Sequence, residues 1–413
     1  MNAFSDNRLV VTRRALLAAV PAAAVSTGCR PDAGSGVRGR PVEGAEAAEA
    51  AEGAEAADGV EGLASTAEAA HQEGVDRPEQ PQTHVVVSVY DLADPDGAGR
   101  AGTGRMLKAL GETVLKVTEA GSGRGSADGL TVTVGLGPGP LAALDRRLPG
   151  AAELPAFARE ERTSRTWGGD LLVQVCANGA AAAAGADADL AGLLEGRGAA
   201  ARRWSQTGFR PPGTGPVRNL LGFQDGIEIP RGRAELERDV WLSGPDPVAG
   251  GTIAVVRRLR IDVPEFLAQP VHRQEEAIGR RKADGAPLGG GAPLGRLDLS
   301  AKTPQGRYLV PAMAHARRAN PNATGSGKML RRGYAYDNGP GDRGLLFIGF
   351  QRELRTFTAT QRRLDEGDDL MAFVTATASA GFLVLPGFDA DRPLGATLFP
   401  VEVGPRGGAR SRG

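Results

Sequence analysis

Apolar residues recur along the chain in two rounds of strand-like and helix-like spacing. In the first round, residues 84–90 form a β-branched run and residues 130–136 alternate apolar with polar positions, both strand signatures. Residues 170–177 and 204–209 repeat the strand pattern, while residues 107–119 and 180–201 carry helical spacing. Strand, helix, strand, strand, helix, strand is the ferredoxin-like order. The second round offers a strand at 251–260, an amphipathic helix at 263–279, a strand at 344–350, a helix at 368–380 and a last strand at 381–385. The expected fold class is therefore α+β: tandem ferredoxin-like domains with antiparallel sheets. The space between a sheet and its helices is a common ligand position, and it is expected here in the C-terminal half.

Outside these rounds the pattern fades. Residues 30–80 are rich in Ala and Glu and have no apolar face to bury, which predicts a disordered tether. Ahead of it, Arg13 and Arg14 precede a short, weakly apolar, alanine-rich stretch ending at Val25. That arrangement resembles a twin-arginine export signal, and it is too short to span a bilayer. The expected organisation is a signal segment at 1–29, the tether at 30–80, domains at 81–235 and 236–404, and a basic tail at 405–413. It implies export by the twin-arginine machinery to the cell envelope or beyond. Small residues precede Cys29, so plain cleavage and lipid anchoring at Cys29 rank equally.

Composition adds mainly exclusions. The 413 residues carry 49 basic and 49 acidic side chains, and this balance gives no argument for a nucleic-acid partner. Two cysteines exclude a disulfide framework. Cys176 lies within an apolar strand and reads as a buried, inert thiol. No Cys-x-x-Cys-His occurs, so covalent c-type haem attachment is excluded.

The candidate chemistry sits in two stretches. Residues 219–226 end in Gly222-Phe223-Gln224-Asp225-Gly226, and residues 315–336 contain His315, the Asn320-Pro321-Asn322 corner and the pair Arg331-Arg332. On a strand, adjacent arginines face opposite sides, so only one of the pair can serve a site. His71, His84 and His272 fall outside any cluster. Taken alone, Asp225-Gly226 is also what an ordinary turn looks like.

These stretches do not stand alone. Residues 71–75, 167–174, 203–209, 278–282, 285–288 and 344–351 resemble, in the same order, blocks of the dye-decolourising peroxidases. The similarity is to the twin-arginine-exported subclass that includes deferrochelatase-like proteins. It implies one haem b per chain, with hydrogen peroxide and a small reducing substrate as partners. A ferryl intermediate would oxidise dyes, phenolics or similar one-electron donors. By this resemblance His315 is the proximal iron ligand, and Asp225 and Arg331 are the distal acid and cation. Gly226, Ile227, Glu228, Arg280, Asn320, Pro321 and Asn322 would line the haem, with Arg280 as a propionate partner. The family often has arginine where Asn322 stands, and commonly an acid within the stretch matching residues 370–373, where this chain has none. Asp368, Asp369 or a carbonyl remains to accept from His315. Two further readings stay open: a haem-handling protein that releases iron, and a haem-binding module without catalysis. The oligomeric state is also open, a homo-oligomer included.

Overall fold

The computed structural model describes residues 71–93, 99–122, 129–196, 198–244 and 247–400. The expected signal segment, Cys29, the expected tether up to residue 70 and the basic stretch at 405–413 lie outside the described residues. The last ten residues expected in the tether are instead packed chain. Gln72 is buried, donates to the carbonyls of Val134 and Leu385 and accepts from the Val134 amide, and Val75 is fully buried. One glutamine thus satisfies three backbone groups from two distant segments, which local composition does not reveal.

The first half runs β1 (His84–Leu92), α1 (Gly99–Ser122), β2 (Thr131–Leu136), α2 (Pro138–Leu144), β3 (Leu171–Ala177), α3 (Ala180–Gly196) and β4 (Ala200–Phe209). A small hairpin of β5 (Val217–Arg218) and β6 (Gln224–Asp225) follows, then α4 (Gly232–Asp239). The second half runs β7 (Thr252–Ile261), α5 (Val263–Ala268), α6 (Val271–Ile278), α7 (His315–Arg318), β8 (Leu330–Arg331) and β9 (Tyr334–Asp337). It closes with β10 (Arg343–Gln351), α8 (Leu354–Glu366) and β11 (Val374–Val384).

Spatial order confirms the ferredoxin-like arrangement in both halves. The first sheet reads β2-β3-β1-β4 and the second β11-β7-β10-β9, the same order taken in opposite directions. The two sheets meet at β11–β2 and β4–β9, so the strands form a ring. At the second joint Gly208 is required. A Cβ there would stand 2.8 Å from the Tyr334 Cβ and 2.9 Å from a Val85 methyl.

Strand alternation sorts the core. Val85, Val87, Val89, Val256, Ile348 and Phe350 point into the ring and form one buried cluster. On the outer face of the first sheet, Val134, Leu136 and Val173 pack against Leu107, Leu110 and Leu190 of α1 and α3. On the outer face of the second sheet, Arg257, Leu259, Leu345 and Phe347 instead line a cavity.

Three expected elements need correction. The helix at 263–279 is two helices, because Pro270 lacks an N–H and disfavours helical backbone at Gln269. The Gln274 side chain bridges the break by donating to the carbonyls of Leu267 and Gln269. The helix at 180–201 stops at Gly196, and Ala200 already belongs to β4. The helix at 368–380 is absent: a 3-10 turn at Asp369–Phe373 leads into β11, which pairs with β7 from Val374 to Val384.

Candidate active site

The cavity over the second sheet encloses about 290 Å³. Its far wall comes from α8, where Phe357, Thr360, Gln361 and Leu364 recur at helical spacing. Leu370, Met371 and Val374 extend that wall. Another wall is the β5–β6 hairpin and the segment after it.

Asp225 stands at the end of that hairpin. Asn219 builds the turn: its side-chain oxygen accepts from the amides of Leu221 and Phe223. Gly222 and Gly226 take positive φ, +84° and +81°, which glycine adopts without strain. The Gly226 amide donates to Asp225 Oδ1 at 2.6 Å. The other carboxylate oxygen has no hydrogen-bond partner among the described residues, and the side chain remains 42% exposed.

Arg331 faces Asp225 from β8. Its Nη2 lies 3.9 Å from Asp225 Oδ1, and its Nη1 donates to the Glu228 carbonyl at 2.9 Å. Strand alternation separates the two arginines as expected. Arg332 turns away from the cavity, is buried, and donates to the Pro78 carbonyl.

His315 opens α7 and lines the same cavity. Its Nδ1 donates to Asp368 Oδ2 at 2.7 Å, while its Nε2 has no hydrogen-bond partner among the described residues. Asp368, whose side chain is fully buried, caps the 3-10 turn by accepting from the Leu370 amide with its other oxygen. Enclosure lowers the imidazole pKa, but the charge and hydrogen bond of Asp368 outweigh it and the net shift is upward. The opposed charges of Arg331 and Asp225 also reach the ring.

The other expected residues divide. Gly226, Ile227, Glu228, Arg280, Asn320 and Pro321 all line the cavity. Asn322 does not: Asn320 caps its turn, accepting from the Asn322 amide, and Asn322 projects to solvent. The Glu228 carboxylate, unexpected beside an anionic cofactor, is near enough to bear on Arg280. Arg280 is buried and donates to the carbonyls of Gly285 and Gly295 through Nη1, but its buried Nη2 has no hydrogen-bond partner among the described residues. Burial depresses its pKa, with Glu228 opposing.

Sequence reading left several lining residues unnamed. Arg210 follows β4, and Arg257 of β7 is held in a buried pair with Glu160. No local motif marks either one. Asp368 was one of three open choices for the partner of His315, and the geometry selects it.

The lining fits a flat, largely apolar cofactor that carries carboxylates and a metal. One imidazole nitrogen is anchored and the other open, an orphan guanidinium nitrogen awaits an anion, and leucine, isoleucine and phenylalanine form the walls. Haem has this character.

Comparison with known proteins agrees. Residues 81–210 match the model of the Dyp-type peroxidase N-terminal domain, and residues 216–389 that of its C-terminal domain. A dye-decolorizing peroxidase of Thermobifida fusca is 35% identical, over 80% of this chain and 84% of that protein. A deferrochelatase of Yersinia pestis is 32% identical, over 66% of this chain and 67% of that protein. A DyP-type peroxidase structure from Streptomyces coelicolor superposes with a TM-score of 0.73 at 33% identity, covering 80% of this chain and 96% of that one. Ferric DtpA from Streptomyces lividans gives 0.73 at 32%, covering 80% and 95%. The chain belongs to the Dyp-type peroxidase family, enzymes of the haem peroxidase class.

Proposed function

We propose that the protein binds one haem b in this cavity and uses hydrogen peroxide to oxidise dyes, phenolics or similar one-electron donors. The observation that carries this reading is that Asp225, Arg331 and an Asp368-anchored His315 all line one cavity. When bound, the haem supplies iron redox chemistry toward peroxide.

The chain's own residues account for the rest. His315 offers Nε2 to the metal, and Asp368 fixes the ring's orientation and tautomer by holding the Nδ1 proton. Arg280 offers its free Nη2 to a propionate. Asp225 keeps one oxygen free of hydrogen-bond partners among the described residues, so it can take a proton from one peroxide oxygen and return it to the other. Arg331, steadied by the Glu228 carbonyl, places a fixed positive charge where the departing oxygen gains negative charge.

A purely haem-binding module has no use for an acid and a cation set together. The relatives named deferrochelatase keep iron release as a second reading, but that role gives no reason for the Asp225–Arg331 pair. His315→Ala separates ligand from lining: it is expected to abolish the haem absorption band of the purified, reconstituted protein. Retention of a normal band would remove His315 from the role of ligand. The export route, envelope location and lipid state at Cys29 remain part of this proposal, supported by the sequence pattern alone. Loss of export on replacing Arg13 and Arg14 with lysine would test them.

A further inference from the structure

A second cavity, of about 470 Å³, lies beyond the Asp225–Arg331 pair. It shares Arg210, Val217, Asp225, Gly226, Arg331 and Gly333 with the first, so the two spaces meet at the acid and the cation. Its apolar lining includes Pro81, Pro216, Ile229, Leu236 and Leu330. His71 adds a flat surface, its ring stacked on buried Trp241 at 3.8 Å and 15° and held by the Gly250 carbonyl.

The charged lining is unbalanced. Six arginines (77, 210, 231, 233, 331 and 332) stand against the carboxylates of Asp76, Glu79, Asp225 and Glu237. Most are engaged. Arg233 pairs with Glu237, Arg332 donates to the Pro78 carbonyl, Arg231 donates to the Gly226 carbonyl, and Arg331 serves Asp225 and Glu228. Arg210 is different. Its backbone is fixed by the bond from its amide to the Thr83 carbonyl, yet its side chain makes no hydrogen bond or ion pair among the described residues. It is partly buried, and burial depresses its pKa while Tyr334, Asp225 and Cys176 oppose. An arginine stays protonated under such shifts. A half-desolvated guanidinium without a partner is costly unless an anion completes it.

We propose that this second cavity binds the reducing substrate as an aromatic carboxylate, with Arg210 taking the carboxylate and the apolar wall beside His71 taking the ring. The inference rests on the peroxidase reading and adds to it a substrate class and a site. Peroxide itself is small and neutral, and needs neither an apolar wall nor an unpaired cation. A donor bound here stands against the Asp225–Arg331 pair, at the junction with the first cavity.

The test is a calorimetric titration of the haem-loaded protein with benzoate, without peroxide, beside benzyl alcohol as a neutral analogue. Saturable benzoate binding is expected, with benzyl alcohol at least about tenfold weaker, as for the loss of one charge-assisted contact. Arg210→Gln should weaken benzoate about tenfold or more. Arg210→Lys should recover part of the affinity, since lysine keeps the charge but loses the planar fork. Arg147→Gln, at an exposed and paired position outside both cavities, should change it less than about twofold. In turnover, Arg210→Gln should raise KM for 4-hydroxybenzoate about tenfold. Equal binding of benzoate and benzyl alcohol by the unaltered protein overturns the proposal, as does undiminished benzoate affinity in Arg210→Gln. Because binding is read without peroxide, a protein that binds benzoate but ignores peroxide would sink the peroxidase reading while leaving the site. A normal peroxide reaction without benzoate binding would do the reverse.

Discussion

At the residue scale, the link between Asp368 and His315 sets how strongly the imidazole can serve a metal. A carboxylate on the far nitrogen raises ligand basicity, and loss of such a partner typically costs 10–100-fold in affinity or activity. Asp368→Asn keeps the shape and the turn cap but removes the charge. Haem retention by the purified variant is expected to fall on the order of tenfold or more, with the iron reduction potential raised because the ferric state loses a donor. Unchanged retention and potential would mean that the 2.7 Å contact only positions the ring. His315, Asp225 and Arg331 were legible as candidates because their stretches stand among blocks that resemble, in the same order, those of the dye-decolourising peroxidases. The partner of His315 was narrowed to three choices and no further, since the selection depends on a 3-10 turn that leaves one Asp368 oxygen for the cap and one for the imidazole. Asn322 was misplaced for a related reason: the Asn320 cap decides which way that corner projects.

At the element scale, Asp225 depends on the hairpin that carries it. Asn219 holds two amides of the turn, and a hydrogen bond of this kind contributes about 1 kcal/mol, more if a buried group is left unpaired. Asn219→Ala should speed amide exchange at Leu221 and Phe223 by about tenfold, with distant strands unaffected. Exchange at the wild-type rate would show that the turn is held by its backbone alone. Strands with β-branched runs were readable, because sheet burial and residue type agree there. The segment at 374–380 was not. Its alternation of Thr or Ser with Ala fits a helix of small residues as well as a strand, and pairing with β7 decides the matter. The α8 helix was missed although it forms a cavity wall, because Thr and Gln stand where an apolar stripe would have announced it.

At the scale of the whole molecule, the ring of strands is tied by contacts remote in sequence. Glu160 belongs to the connection before β3 in the first half, and Arg257 to β7 in the second; their pair is 2.6 Å long with both side chains 2% exposed. Gln361 of α8 accepts a second bond from Arg257 at 2.8 Å. Removing one partner of a buried pair leaves the other charge uncompensated, at about 3–5 kcal/mol. Glu160→Gln should therefore lower the thermal midpoint by several degrees and loosen the sheet side of the cavity. An unchanged midpoint would show that the pair is stability-neutral here. The duplicated element order was visible in the sequence, whereas closure of the ring was not, since it rests on the one paired position at β4–β9 and the two at β11–β2.

The central claim is that Asp225 and Arg331 act on peroxide at a haem held by His315. Mixing the haem-loaded protein with one equivalent of peroxide in a stopped-flow spectrometer tests it directly. The account predicts a prompt change in the visible spectrum, slowed about 100-fold or more in Asp225→Ala and in Arg331→Ala. A haem spectrum that ignores peroxide, or variants that react as fast as the unaltered protein, would contradict it.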